Sequence, residues 1–452
     1  MRGPFLPYSG RTSTVDGVTA PLDPLATLLV AHADPRVPRV SVATLTDPDA
    51  DPQVATSADV SRYALFQAAS ISKAVAALAA LVLVDGGALG LDDDVNTRLR
   101  SWRLPAPAGC PVTVTLRNLL CHGGALSIRS FPGYPTGARL PTVLQILDGQ
   151  PPSGTAPVRI TGLPGLAPRY SGGGYLILQQ LLEDVSGKPM PELVAELVLR
   201  PLRMINAQYL QPDPDEAIPG TAGGAPLAGG WYIYPELAAA GLWCTPVDLV
   251  RLAAGIQAAV AGRPGAVLSK KLAATMTTEQ LPGWGLGLEL AGTGAGARFG
   301  HSGQNTGYLC EFTATVAPGP AIAIMTASDL GAQVIHPLMP AIRKLLKWPD
   351  PAAWTVSGKP GAPAPSPSQV AGLAALCAGG YRTDRGQLLT LSGTIWNWAL
   401  TIDGQPPIPL EAESASLLSC PALPLTVELD ISGKAPKIAV RLPGTVITAT
   451  HV

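Results

Sequence analysis

The chain has 452 residues, of which 47% are hydrophobic and 14% charged, and its formal net charge is -1. That length exceeds what one hydrophobic core usually supports, so two domains are expected, and the composition is that of a globular chain rather than a disordered one. No basic block is present, which excludes nucleic acid and anionic membrane surfaces as expected partners.

Met1 to Gly10 carries no basic cluster ahead of an apolar core, so no secretory signal peptide is read there and a cytoplasmic location is expected. The most apolar run, residues 74–84, is shorter than the about 20 residues of a bilayer span and is bounded by Lys73 and Asp85; it reads as a buried helix of a soluble protein. Further helices are predicted over residues 174–185, 190–199 and 246–260. Strands follow over residues 284–290, 308–315 and 321–327, separated by Gly and Pro turns, as in an antiparallel sheet. Residues 330–348 read as a closing helix after Pro337 and Pro340. Helices and strands do not alternate regularly, which predicts an α+β fold.

Residues 349–369 form a Pro/Gly/Ser linker. Beyond it, six short β-rich runs between residues 388 and 450 predict a small all-β barrel or sandwich. The expected domains are therefore 1–348 and 370–452. The cysteines, Cys110, Cys121, Cys244, Cys310, Cys377 and Cys420, form no CxxC pair; free core thiols are expected, with no metal site and no cofactor.

One short motif carries chemistry. In Phe66-Gln-Ala-Ala-Ser70-Ile-Ser-Lys73, Ser70 and Lys73 stand three apart and so share a helix face. Near a helix N-terminus, unpaired backbone N–H groups favour negative charge. A serine hydroxyl becomes a nucleophile when a neighbour takes its proton, and a lysine can do this once burial lowers its pKa. Alone, the pattern fits equally an N-cap serine followed by a solvated lysine. Two features favour chemistry: no other lysine in the chain has a serine three positions earlier, and Lys73 directly precedes an apolar helix, where a lysine needs a partner or a purpose.

These residues resemble the first motif, S-x-x-K, of the serine β-lactamase and penicillin-binding-protein superfamily, and specifically its class C β-lactamase branch, which includes family VIII esterases, D-aminopeptidases and acyltransferases. Tyr170-Ser171-Gly172 stands where that branch has Tyr-x-Asn, and His301-Ser302-Gly303 where it has Lys-Thr-Gly or His-x-Gly. Segments around His122 and around Trp243 to Asp248 also match, so that the resemblance covers roughly residues 20–348, and the tail resembles a lipocalin-like barrel. The resemblance implies an antiparallel sheet flanked by helices, with a helical subdomain. It also implies roles. Ser70 attacks a carbonyl, Lys73 and Tyr170 take and pass on its proton, and His301 positions a substrate carboxylate or tunes Tyr170. The backbone N–H groups of Ser70 and Gln304 hold the oxyanion, with Gly303, Ser302 and Gly172 as substrate-binding positions.

Gly172 in place of asparagine and His301 in place of lysine argue against efficient lactam hydrolysis, since an imidazole holds a carboxylate less firmly than an ammonium. The expectation is a serine acyl-enzyme hydrolase of small esters or amides. The alternatives are a transacylase serving an amine or alcohol acceptor in natural-product biosynthesis and an inactive binding protein on the same scaffold. His122 is read as a buried structural histidine. Tyr134, Tyr232, Tyr234 and Trp243 are read as core or pocket-wall aromatics.

Overall fold

A computed structural model describes residues 23–107, 110–348, 377, 379–394, 397–403, 405–412, 417–420, 422–430, 435–443 and 445–452. The N-terminal segment read for a signal peptide and the linker 349–369 lie outside the described residues. The main helices are α1 (Pro24–Ala31), α2 (Ser72–Asp85), α3 (Gly172–Ser186), α4 (Leu237–Ala240), α5 (Pro246–Ala261) and α6 (Ala332–Leu345). The strands of the larger sheet are β1 (Val40–Leu45), β2 (Gln53–Thr56), β3 (Glu289–Ala291), β4 (Arg298–Asn305), β5 (Tyr308–Thr315) and β6 (Ala321–Thr326).

These strands form an antiparallel sheet in the order β2-β1-β6-β5-β4-β3. β1 and β6 are buried at every position because both faces are covered. α5 packs on one side, and α1 and α6 lie against the other around Val42, Ile322, Ile324 and Leu338. The fold is thus α+β, with an antiparallel sheet between helical layers, as expected.

Local sequence explains the helix ends. α5 opens on Thr245-Pro246-Val247-Asp248, a capping box in which the Thr245 Oγ1 accepts from the Asp248 N–H and Asp248 accepts from the Thr245 N–H, with Pro at the first helical position. Gly262, at φ +72°, closes it in the left-handed region. α2 is buried all round from Ser72 to Leu81, as an apolar helix without a polar face must be. Its alanines admit close neighbours: a Cβ at Gly287 would lie 2.2 Å from that of Ala77.

Two expected elements differ. The strand expected over 284–290 is regular only at Glu289–Ala291, because Gly283 and Gly287 adopt φ of +76° and +80° and fold the chain back on itself. The closing helix begins before the two prolines and contains both. Pro337 and Pro340 are exposed, three residues apart on one face, so the carbonyls that lose a partner face water while Val334, Ile335, Leu338 and Ile342 are buried.

The C-terminal residues form a closed eight-stranded antiparallel barrel, β7 (Gly379–Thr383), β8 (Leu388–Thr394), β9 (Asn397–Ile402), β10 (Ile408–Ala412), β11 (Leu417–Ser419), β12 (Thr426–Asp430), β13 (Lys437–Leu442) and β14 (Thr445–His451). β7 and β11 are additional to the six expected runs; both are short, and the barrel closes through the β7–β14 pairing. The barrel abuts the rest of the chain. Gln387 Nε2 donates to the Gly165 carbonyl (2.9 Å), and the Thr113 hydroxyl donates to Gln405 Oε1 (3.0 Å). All six cysteines are buried and free, as expected.

Candidate active site

Ser70 sits in a 3-10 turn, Ala69–Ile71, that runs directly into α2. The residue before it, Ala69, has φ +50°, a conformation that costs a non-glycine residue of the order of 1 kcal/mol and persists only where packing enforces it. That kink leaves Ser70 partly exposed at the floor of a cleft of about 820 Å3, while Lys73, one turn on, is buried. Lys73 Nζ lies 3.0 Å from Ser70 Oγ and donates to the Ala239 carbonyl of α4 at 2.8 Å. It also lies 5.0 Å from the Tyr170 ring centre. Burial lowers the Lys73 pKa to about 7, and Glu289 opposes this only in part.

Tyr170 lines the same cleft. Burial raises its pKa to about 12, against the influence of Ser70, whose hydroxyl interacts with the phenol. The backbone on both sides of Tyr170 is held by one residue: the Ser171 N–H donates to His122 Nδ1 (3.2 Å), and the Arg169 N–H donates to the His122 carbonyl (2.7 Å). The His122 ring packs 4.3 Å from that of Tyr170 and edge-on to Trp284 at 4.4 Å. Burial, with Lys73 and His301 nearby, holds His122 well below its ordinary value, hence neutral. His122 is buried, as read from the sequence; its clamp on Tyr170 is not legible there, because it joins positions 49 residues apart.

β4 forms the opposite wall. A Cβ at Gly303 would lie 2.2 Å from the Ala68 carbonyl oxygen and 3.2 Å from the Ser70 nitrogen, so only glycine lets the strand come this close to the nucleophile. Ser302 and Gln304 line the cleft. Asn305 fastens the strand by donating to Gln67 Oε1 (2.8 Å) and to the Ala240 carbonyl (3.1 Å).

His301 is placed differently from expectation. It is 2% exposed and does not line the cleft. Its Nδ1 lies 2.5 Å from the Ser302 carbonyl oxygen and 3.7 Å from Glu289, and burial lowers its pKa. A buried neutral imidazole cannot hold a substrate carboxylate by charge, so the carboxylate-positioning role is not supported. Its ring, 6.3 Å from that of Tyr170, leaves the tuning role geometrically open.

Gly172 opens α3, beneath the Ser171 side chain that caps it. A Cβ there would lie 2.9 Å from Phe131 Cε2 and 3.1 Å from the Arg129 carbonyl. An aromatic ring therefore occupies the space that an asparagine side chain would need, and Gly172 contributes backbone only.

Sequence reasoning missed Arg129, whose guanidinium lies 5.2 Å from the Tyr170 ring centre, as well as Phe131, Trp284 and Glu289, all lining the cleft. They stand in irregular segments or at a strand end and carry no local pattern. Of the four suspected aromatics, Tyr234 lines the cleft and bonds Thr306, whereas Trp243 is fully buried core.

A serine and a buried lysine in contact, with a tyrosine above them and a glycine strand alongside, make an arrangement of the S-x-x-K kind. The chain belongs to the Beta-lactamase family, a family of serine hydrolases, whose model matches residues 36–345. It is 27% identical over 187 residues to the D-alanyl-D-alanine-carboxypeptidase/endopeptidase AmpH of Escherichia coli K12, a match that spans 40% of this chain and 46% of that protein. In fold it is similar to the octameric penicillin-binding protein homologue from Pyrococcus abyssi (TM-score 0.57, 20% identity, covering 94% of this chain and 99% of the other). It is also similar to the D-amino acid amidase from Ochrobactrum anthropi SV3 complexed with L-phenylalanine amide (TM-score 0.57, 20% identity, 71% and 98%).

Proposed function

We propose that the chain is a serine hydrolase of the amidase or peptidase type that forms an acyl-Ser70 intermediate. The observation that carries this reading is the 3.0 Å approach of Lys73 to Ser70, with the lysine pKa lowered to about 7. Near neutrality a large share of Lys73 is unprotonated, so its nitrogen can accept the Ser70 proton as Oγ attacks the carbonyl carbon. Tyr170, with a pKa raised to about 12, remains a neutral phenol; it suits passing the proton from Lys73 to the leaving nitrogen better than acting as the first base. The N–H groups of Ser70 and Gln304 are the proposed oxyanion donors, each worth about 10²–10³ in rate. Water then attacks the acyl carbon, its proton returns through Lys73, and acid is released.

Amide over ester is favoured by the carboxypeptidase/endopeptidase and amidase names of the similar proteins. Weak or absent lactam hydrolysis is supported by Phe131 filling the space over Gly172 and by the neutral, withdrawn His301. A cleft of about 820 Å3 suits a small-molecule or short-peptide substrate.

The test is a serine-reactive phosphonate followed by mass spectrometry, with amide and ester turnover measured in Lys73→Ala. The expected result is one adduct on Ser70 and a rate loss of about 10²–10⁴ in the variant. An adduct elsewhere, or turnover in the variant like that of the wild type, overturns the reading. Adding amines to the turnover assay separates hydrolysis from transfer: a product ratio that follows amine concentration marks a transacylase.

A further inference from the structure

Behind the catalytic strand lies a second cavity, of about 220 Å3. The register of the sheet explains it. Gly300 pairs with Glu289 on one side and Thr313 on the other, and Ser302 pairs with Glu311. Residues directly opposite in an antiparallel pair share a face, as do residues two apart, so Arg298, Gly300, Glu289, Glu311 and Thr313 all present to the face away from α2. Gly300 has no side chain to fill the centre. A Cβ there would lie 2.2 Å from the Phe312 carbonyl oxygen, so the floor stays bare. Arg343, from the last turn of α6, overhangs this floor, its guanidinium 5.7 Å from the Trp348 ring centre.

The charges around this floor are unusual. Two arginines and two glutamates line it, yet among the described residues no ion pair joins Arg298 or Arg343 to Glu289 or Glu311. Arg343 Nε is buried without a hydrogen-bond partner. Charges of both signs act on one another here without a direct bond. Burial and then Arg298 lower the pKa of Arg343, with Glu311 opposing the fall; burial raises that of Glu311, opposed first by Arg343 and also by His336 and Arg298, with Glu289 adding to the rise. Half-buried charges that lack a direct ion-pair partner are costly to desolvate unless a group of the opposite sign comes to them. A single ligand supplies a direct partner to the arginines and to the glutamates if it carries an anion and a cation a few ångströms apart.

We propose that this cavity is a binding site for a free amino acid, its carboxylate taken by Arg298 and Arg343 and its ammonium by Glu289 and Glu311. The size agrees: about 220 Å3 is below the roughly 300–1,000 Å3 of drug-sized sites and suits one small zwitterion. The site is distinct from the acylation cleft but touches it. Glu289 lines both cavities and accepts a hydrogen bond from the Ser302 hydroxyl at 3.0 Å, so an occupant behind the sheet acts on a residue of the cleft wall.

Calorimetric titration of the full chain carrying Ser70→Ala, with glycine and with D- and L-alanine, tests this without any turnover. The expected result is saturable binding with a dissociation constant of the order of 1 mM, about -4 kcal/mol, and no binding of the N-acetyl or methyl-ester derivatives, which lack one charge. Arg298→Gln and Arg343→Gln should each weaken binding at least about tenfold, while Arg129→Gln, in the cleft, leaves it unchanged; thermal melts establish that each variant is folded. Absence of saturable heat at about 50 mM ligand, or binding kept by both cavity variants and lost in Arg129→Gln, overturns the proposal.

Discussion

Lys73 and Glu236 are both buried ionisable side chains, and burial moves each towards neutrality from opposite directions. The Lys73 pKa falls to about 7, so kcat/KM is expected to rise with pH through an apparent pKa near 7, because only the unprotonated amine can take the Ser70 proton. A pH profile that is flat between 6 and 8 would contradict this assignment. Glu236 is 0% exposed, neither of its carboxylate oxygens has a partner, and burial raises its pKa to about 7. It stands at the start of α4, the helix whose Ala239 carbonyl holds Lys73. Its unfolded value is near 4.5, so between 4.5 and about 7 the folded chain retains a proton that the unfolded chain has lost, and stability falls as pH rises through that window. Glu236→Gln removes this penalty. The variant is expected to gain up to about 3 kcal/mol over the wild type at pH 8 and much less at pH 5, read from thermal or urea melts at the two pH values. It should leave the rising limb of the activity profile in place, which separates the two titrations. Ser70 and Lys73 were legible in the sequence because they stand three apart ahead of an apolar helix and resemble the S-x-x-K motif. Glu236 and Arg129 were not, since their meaning depends on burial or on a loop from elsewhere in the chain.

Among the elements, β4 decides most. Its alternation puts Gly303 against the Ser70 turn and Gly300 on the opposite face, so one strand serves both cavities. Gly303→Ala is expected to fold, since the sheet register remains, but to push the strand off Ser70. A displacement of about 1 Å from productive geometry can cost about 10² in kcat, and the steady-state rate beside an unchanged circular-dichroism spectrum checks it. The helices over 174–185 and 246–260 were readable in advance from their apolar pattern, and the structure adds the caps Ser171, Thr245 and Gly262 that fix their ends. The strand expected over 284–290 was not, because alternation of apolar residues says nothing about glycines that take positive φ. The continuous helix through Pro337 and Pro340 was also hidden: the apolar contacts of Val334, Ile335 and Leu338 with the sheet outweigh two missing backbone donors on the wet side.

Across the whole molecule, the buried apolar core runs without a break from α2 into the barrel. Cys110 and Cys420 meet at the junction; burial and its neighbour Cys420 push the Cys110 thiol up to about 12, so it stays a thiol rather than a thiolate at neutral pH. A chain ending at Trp348 is therefore expected to melt well below the full chain, because the surface around Cys110, Thr113 and Gly165 loses its cover. Calorimetry of both chains measures this, and equal melting temperatures would mean that the two units are independent. By itself, the sequence determined the α+β class, the eventual barrel, and the order and spacing of the three site segments. The class and the barrel follow from periodicity and turn chemistry, which act over a few residues, and the site segments from their resemblance to the motifs of the S-x-x-K superfamily. Only the tertiary structure decided that His301 is withdrawn and neutral, that His122 grips Tyr170, that Phe131 covers Gly172, and that four charges gather behind β4. Each of these depends on which distant segment arrives to exclude water, and exclusion of water is what sets both the charge and the reach of a side chain.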